Sequence, residues 1–195
     1  LLENTIDQLD TLDIISRMKT VKRFGDSHSD RLFHVALELV ITWINRVLFL
    51  KLLEAQLITY HKGSAAYGFL NADRIPDFDS LNSLFFQVLA RRPADRDPDV
   101  QSAFSHVPYL NSSLFEPSEI EQNSIFISNL RDGKILPLPT TTVLKEDTGK
   151  RTAGNMNTLH YLFAFLDAYD FASEGAEDIQ EEHKSLINAS VLGLI

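Results

Sequence analysis

Apolar residues between positions 29 and 57 recur at spacings of three and four. Leu32, Ala36, Leu39, Trp43, Val47, Leu50 and Leu53 make one stripe, and Phe33, Leu37, Val40, Ile44, Leu48 and Leu52 make a second beside it. Proline and glycine are absent from the run, so helix is the expected state. A surface helix carries a single stripe. Two adjacent stripes predict a helix contacted on most of its circumference, the central strut of a helical bundle, with Trp43, Leu48, Phe49 and Leu53 largely buried. At ~1.5 Å per residue it runs roughly 40 Å. Ser27, Ser29 and Asp30 offer N-cap side chains before it, and Gly63 is the first stop after it.

Four polar residues interrupt the apolar pattern: Asn45, Arg46, Lys51 and Glu54. They keep the run well short of the ~20 apolar residues of a membrane span. Arg46 and Lys51 either pack their stems and send their heads to solvent, or Arg46 pairs with a carboxylate. The functional alternative is contact with a neighbouring domain or a DNA phosphate.

The rest of the chain reads more loosely. Leu2, Ile6, Leu9, Leu12, Ile15 and Met18 predict a first helix over 3–21, followed by the basic group Lys19, Lys22 and Arg23 and a turn at Gly25. Residues 61–76 read as loop. Asp79 or Ser80 is expected to cap a helix over 81–90 that buries Leu81, Leu84, Phe85, Val88 and Leu89. In 106–116, Tyr109, Leu110, Leu114 and Phe115 tuck inward and Asn111 makes an Asx-type turn. Asp132-Gly133, between Ile125–Ile127 and Ile135-Leu136, predicts a β-hairpin. The segment 140–157, with Lys145, Lys150 and Arg151, reads as a polar loop that could touch phosphates, although Glu146 and Asp147 sit among those charges. A helix over 157–170 buries Leu159, Leu162, Phe163, Leu166 and Tyr169, and the acidic stretch 174–182 reads as a solvated linker.

Charge and composition narrow the function. The net charge of −9 and pI near 5.1 are the reverse of a stand-alone DNA-binding module. With no cysteine, disulfides and thiolate metal sites are excluded. The first residues, Leu-Leu-Glu-Asn, lack a methionine and the last are apolar, which reads as a domain cut from a longer protein. Six histidines are scattered without ligand spacing, and no HExxH, G-x-S-x-G or [DN]PP[YF] motif occurs. The letters of a PD-(D/E)XK nuclease occur as Pro98-Asp99 or Pro76-Asp77 with Asp132-Gly133-Lys134 or Glu182-His183-Lys184. In that chemistry the acid and lysine project from adjacent strands, whereas Asp132 and Lys134 bracket a turn glycine.

Several segments carry a resemblance. Asn45-Arg46-Val47-Leu48-Phe49-Leu50-Lys51-Leu52-Leu53-Glu54 resembles NRLLFL-x-FLE, and Leu84-Phe85-Phe86-Gln87-Val88-Leu89 resembles LFFEVL. Pro108-Tyr109-Leu110-Asn111-Ser112-Ser113-Leu114-Phe115-Glu116 resembles PYLNGGLFE, with serines in place of the glycine pair. Leu166-Asp167-Ala168-Tyr169-Asp170-Phe171 resembles LDRYDF, and 186–195 resembles P-x-x-LGxIFE. Segments of this kind, in this order, lie in fused restriction–modification enzymes of type IIG and their relatives. There a helical domain precedes an N6-adenine DNA methyltransferase core and shares its polypeptide with an endonuclease.

The residue pattern, joined from about Asn45 onward by the resemblance, predicts a mainly α bundle around one long central helix with a minor β-hairpin, forming a single helical domain over 1–195. Within it, 1–62 would be a helical hairpin, 63–157 a shorter helix with loops and the β-hairpin, and 158–195 the closing helices. Its implied role is a structural connector, with Asn45, Arg46, Phe49, Glu54, Tyr109, Asn111, Phe115, Tyr169 and Asp170 as structural motif residues. DNA backbone contacts would fall to Lys145, Lys150 and Arg151, or to Lys19, Lys22 and Arg23. S-adenosylmethionine and Mg²⁺ are implied for the full-length cytoplasmic enzyme and none for this segment, which carries no catalytic residue. The partners are duplex DNA and the neighbouring domains, with no membrane. The alternatives are a non-enzymatic helical protein-interaction module and an adenine methyltransferase lacking a nuclease.

Overall fold

Uninterrupted helix formers between Ser27 and Lys62 make one helix in the computed structural model of the chain, which describes residues 1–110, 112–146, 148–171 and 185–186. Helix α3 covers His28–Tyr60, 33 residues. Its start is capped reciprocally. The Ser27 hydroxyl accepts from the Asp30 N–H at 3.0 Å, and the Asp30 carboxylate accepts from the Ser27 hydroxyl at 2.6 Å and the Ser27 N–H at 3.3 Å. Those two Ser27 hydrogen bonds hold the Asp30 carboxyl below the usual carboxylate range. At the other end Lys62 and Gly63 turn left-handed, with φ of 57° and 79°, and the Gly63 N–H donates to the Ile58 carbonyl at 2.8 Å.

The two stripes of α3 are not equivalent. Leu32, Ala36, Leu39, Trp43, Val47 and Leu50 are buried, with Leu53 half-buried. Most of the second stripe is half-buried, and Phe33 is exposed. Neighbouring residues point ~100° apart on a helix, so one stripe faces the core while the next lies on its flank. The expected burial holds for Trp43 and fails for Phe49, which lies in neither stripe and is 40% exposed; Leu48 and Leu53 are intermediate.

The protein is mainly α, with seven α-helices among the described residues and a small antiparallel pair of strands. The chain forms two compact units, Leu1–Val47 with Asp77–Asp132 and Leu48–Pro76 with Gly133–Ile195. In the first, α1 (Leu2–Thr11) and α2 (Ile14–Arg17) replace the single helix expected over 3–21. The break falls at Asp13, whose φ is 49°. The buried face of α1 includes Asn4, Thr5 and Gln8 beside Leu9, while Leu12 is exposed. Polar burial is satisfied at Asn4, whose amide donates to the Arg131 carbonyl at 3.0 Å and accepts the Arg131 N–H at 3.2 Å.

Helix α4 (Phe78–Ser83) runs on into a π-helical turn, Leu84–Leu89. Its cap is Asp77, accepting the Ser80 N–H at 2.7 Å, and not Asp79 or Ser80. All five residues expected to be buried in this helix are buried. Short helices α5 (Pro98–Ala103) and α6 (Glu119–Asn123) complete the unit. Ile125 and Ile127 are core residues, and Ile127–Asn129 is a single 3-10 turn packed on α4.

The expected hairpin is therefore displaced. Ile125–Ile127 is no strand, and the Asp132 carboxylate accepts the Phe78 N–H at 2.8 Å at the start of α4. In the second unit β1 (Ile135–Pro137) pairs antiparallel with β2 (Asn155–Asn157), Ile135 opposite Asn157. The arm continues through a Lys145–Arg151 bridge to a turn in which the Gly149 N–H donates to the Glu146 carbonyl at 2.8 Å. Helix α7 (Thr158–Asp167) follows, capped by Asn157, which accepts the Leu159 N–H at 2.8 Å. Leu159, Phe163 and Leu166 are its buried face, and Leu162 is half-buried. Beyond it β3 (Tyr169–Asp170) pairs in parallel with β4 (Ser185–Leu186). The Asn111 turn, the 174–182 linker, the Glu182-His183-Lys184 pattern and most of 186–195 lie outside the described residues.

The two flanks of α3 should separate in unfolding experiments. Leu39→Ala, at a fully buried site, is expected to cost roughly 2–5 kcal/mol in urea titrations. Ile41→Ala, at a site 49% exposed, is expected to stay within about 1 kcal/mol.

Candidate functional site

Arg46 sits on the buried stripe of α3, where an unpaired guanidinium would be prohibitively costly. It is 1% exposed, and Glu121 of α6, its partner, is fully buried. The pairing is bidentate, Nη1 to Oε1 at 2.5 Å and Nη2 to Oε2 at 2.9 Å. Two further guanidinium donors reach carbonyls of the 110–116 segment, Nε to Leu114 at 2.7 Å and Nη2 to Glu116 at 2.9 Å. The rings of Phe85 and Phe86 lie 5.5 and 5.1 Å from the guanidinium carbon.

Glu121 is equally saturated. Its Oε1 also accepts from Trp43 Nε1 at 2.8 Å, and its Oε2 from the Ser118 hydroxyl and the Ser118 N–H, both at 2.8 Å. The Ser118 hydroxyl accepts in turn from the Glu121 N–H at 3.3 Å, completing a capping box. Burial pushes the Glu121 carboxyl up, but the hydrogen bonds from Arg46 and Ser118 and the Arg46 charge outweigh it, and the net shift is downward.

The segment that Arg46 grips is the PYLNSSLFE stretch. Phe115 is buried, Tyr109, Leu110 and Leu114 are half-buried, and the Leu110 N–H donates to the Leu89 carbonyl at 2.9 Å. Ser112 has an extended φ of −134°, and Ser113 is not among the residues with positive φ. The serines thus fit a backbone that needs no glycine here.

In the second unit Glu54 and Lys51 play comparable parts. The buried Glu54 accepts the Phe69 and Leu70 N–H groups, both at 2.7 Å. Lys51 Nζ donates to Glu54 at 2.8 Å and to Asp167 of α7 at 2.5 Å. Burial pushes the Lys51 ammonium down, and the Glu54 and Asp167 carboxylates more than reverse this, leaving its pKa raised. Of the other motif residues, Asn45 and Phe49 are exposed, and Tyr169 is half-buried 5.2 Å from the Phe165 ring. Asp170 lies in β3.

Two basic groups are on the surface. Lys19, Lys22 and Arg23 are exposed, the last two within a 3-10 turn, Val21–Phe24. Lys145, Lys150 and Arg151 are exposed on the bridged arm, and Arg151 Nη1 donates to the Thr140 carbonyl at 2.8 Å. Asp77 and Asp132 of the nuclease-like letters both cap α4, and Asp99 lies in the first turn of α5. Among the described residues no group of three or more His, Asp or Glu side chains is placed to hold a metal ion. Sequence reasoning missed Glu121 and Asp167 as partners. The Ser118-Glu119-Ile120-Glu121 spacing, a capping-box pattern, was the available signal for the first.

Truncating one side of the buried pair leaves a charge stranded. Arg46→Ala is expected to lose roughly 3–5 kcal/mol of unfolding free energy, and Arg46→Met with Glu121→Leu to recover much of it. The pH dependence follows from the depressed Glu121 pKa. Its contribution is complete above the unfolded value of about 4.3 and is lost as pH falls through the lower folded value. Glu121→Gln should remove that component of acid destabilisation, read from urea titrations across the acid range.

No curated protein and no solved structure matches the chain. The comparisons hold nothing that links it to restriction–modification enzymes. One family model, described as Domain of unknown function (DUF7814), matches residues 1–187. The chain belongs to the DUF7814 family.

Proposed function

We propose that this domain is a structural connector within a restriction–modification enzyme, linking an N6-adenine DNA methyltransferase to an endonuclease. The observation that carries the reading is how the charged residues of the Asn45–Glu54 segment, Arg46, Lys51 and Glu54, are engaged. Arg46 holds 114–121 within one unit, and Lys51 and Glu54 hold 69–70 and Asp167 within the other. Charged side chains with this many internal partners shape a scaffold and leave little for a ligand. The order of the resembling segments supports the same reading. In the complete enzyme, a cytoplasmic one on this reading, S-adenosylmethionine supplies the methyl group and Mg²⁺ serves the endonuclease. Both would be held by other domains, with duplex DNA as the shared substrate. Among the described residues, no helix is long and apolar enough to cross a membrane.

The non-enzymatic interaction module is the second reading, favoured by the exposed Phe33 and Ile41 on α3. The complete polypeptide that carries this domain separates the two. Adenosylmethionine-dependent methylation of adenine N6 is expected, and Arg46→Ala should lower it while the 195-residue chain alone shows none. A complete polypeptide without a [DN]PP[YF] segment, and without methylation, would leave the interaction module. Mg²⁺-dependent cleavage distinguishes a fused nuclease from a methyltransferase alone.

A further inference from the structure

The chain carries −9 overall, yet the twelve residues Ile14–Gly25 contain Arg17, Lys19, Lys22 and Arg23 and no acid. The structure makes a firm platform of this stretch. Its apolar residues Ile15, Met18 and Phe24 are buried. The Phe24 carbonyl lies 2.8 Å from His34 Nδ1, and the Gly25 carbonyl accepts from Arg31 Nε at 2.8 Å. The side chains of Lys19 and Lys22 have no hydrogen-bond or ion-pair partner among the described residues. Arg23 is 3.7 Å from Glu38, with both side chains half-exposed, a pair that a stronger anion can displace.

We infer that this turn is a contact for the phosphate backbone of duplex DNA, with Lys19, Lys22 and Arg23 as its contacting residues. Three features favour it over the 145–151 arm. The arm places Glu146 among its cations, engages Arg151 with the Thr140 carbonyl, and has Lys145 lining a cleft that Asp167 also lines. Burial of Ile15, Met18 and Phe24 also separates the turn from a lipid-binding element, which presents apolar side chains beside its cations. The inference rests on the connector reading only in taking the polyanion to be DNA.

The test is a ¹H–¹⁵N titration of the whole chain with a short duplex at ~50 and ~200 mM salt. Amide shifts are expected at 17–25, fading at the higher salt, with a log–log slope of about −2.7 for three phosphates. The triple variant Lys19→Gln/Lys22→Gln/Arg23→Gln and the reversal Lys22→Glu should abolish them, with spectra elsewhere unchanged. Lys145→Gln/Lys150→Gln should retain them. Shifts centred on 145–151, none at low salt, or equal shifts with phosphatidylserine vesicles or a polyglutamate peptide would overturn the inference. A negative result leaves the connector reading standing, because a connector need not touch the duplex. That reading falls only in the methylation assay on the complete polypeptide.

Discussion

The Arg46–Glu121 pair is the constraint on which the first unit depends. Removing both charges from water costs several kcal/mol per ion, and attraction between them offsets this only when the remaining donors and lone pairs are also satisfied. Here that condition reaches well beyond the pair. It requires the Leu114 and Glu116 carbonyls, the Trp43 indole N–H and the Ser118 cap to arrive together. The position of α3, the course of the 110–116 segment and the start of α6 are therefore conditional on one another. An apolar pair of similar volume could equal the energy, but it would fix the register of these elements less tightly.

The Lys51–Glu54–Asp167 set works under different physics. Glu54 is buried and accepts two backbone N–H groups, so it behaves as a cap for the Phe69–Leu70 turn. Asp167 is about half-exposed, at 53%, and its bond to Lys51 is screened by solvent. The raised Lys51 pKa means that its contribution is complete below the unfolded value and is lost as pH rises through the folded one. The second unit is thus sensitive to alkali at Lys51, and the first to acid at Glu121.

Periodicity made the long elements legible. The buried residues of 81–89 and most of the buried face of α7 follow from apolar spacing, and the start and end of α3 from its cap residues and Gly63. The misses share a cause, which is side-chain chemistry acting on the backbone of a distant segment. Asn4 recognises the backbone at Arg131, so α1 buries polar residues where an apolar stripe was expected. Asp132 caps α4 from 54 residues away, so the Asp-Gly pair does not turn a hairpin and the β-arm forms later. The candidate site was half visible. A carboxylate partner for Arg46 was one of two readings, beside a head sent to solvent, and choosing it and Glu121 required the fold. Phe49 resisted for a different reason, since it lies outside both stripes and is 40% exposed, between half-buried Leu48 and buried Leu50.

The same accounting of carboxylates explains how an acidic chain can hold a basic surface. At least five of its 27 acids are engaged with backbone or buried charge: Asp30 and Asp77 at helix starts, Asp132 beside α4, Glu54 at a turn and Glu121 against Arg46. An acid engaged in this way acts over a short range, because its field is largely compensated by the N–H dipoles and the cation it faces. Net charge therefore misstates what a polyanion meets at a distance of one Debye length, about 10 Å at ordinary ionic strength. What it meets is the local set of uncompensated groups. Around 17–25 that set is Lys19 and Lys22 with the exposed Asp26 at its edge, and Arg23 weakly held by Glu38. A preformed turn also lowers the ordering cost of contact, since the Val21–Phe24 turn is already hydrogen-bonded and anchored by buried Met18 and Phe24.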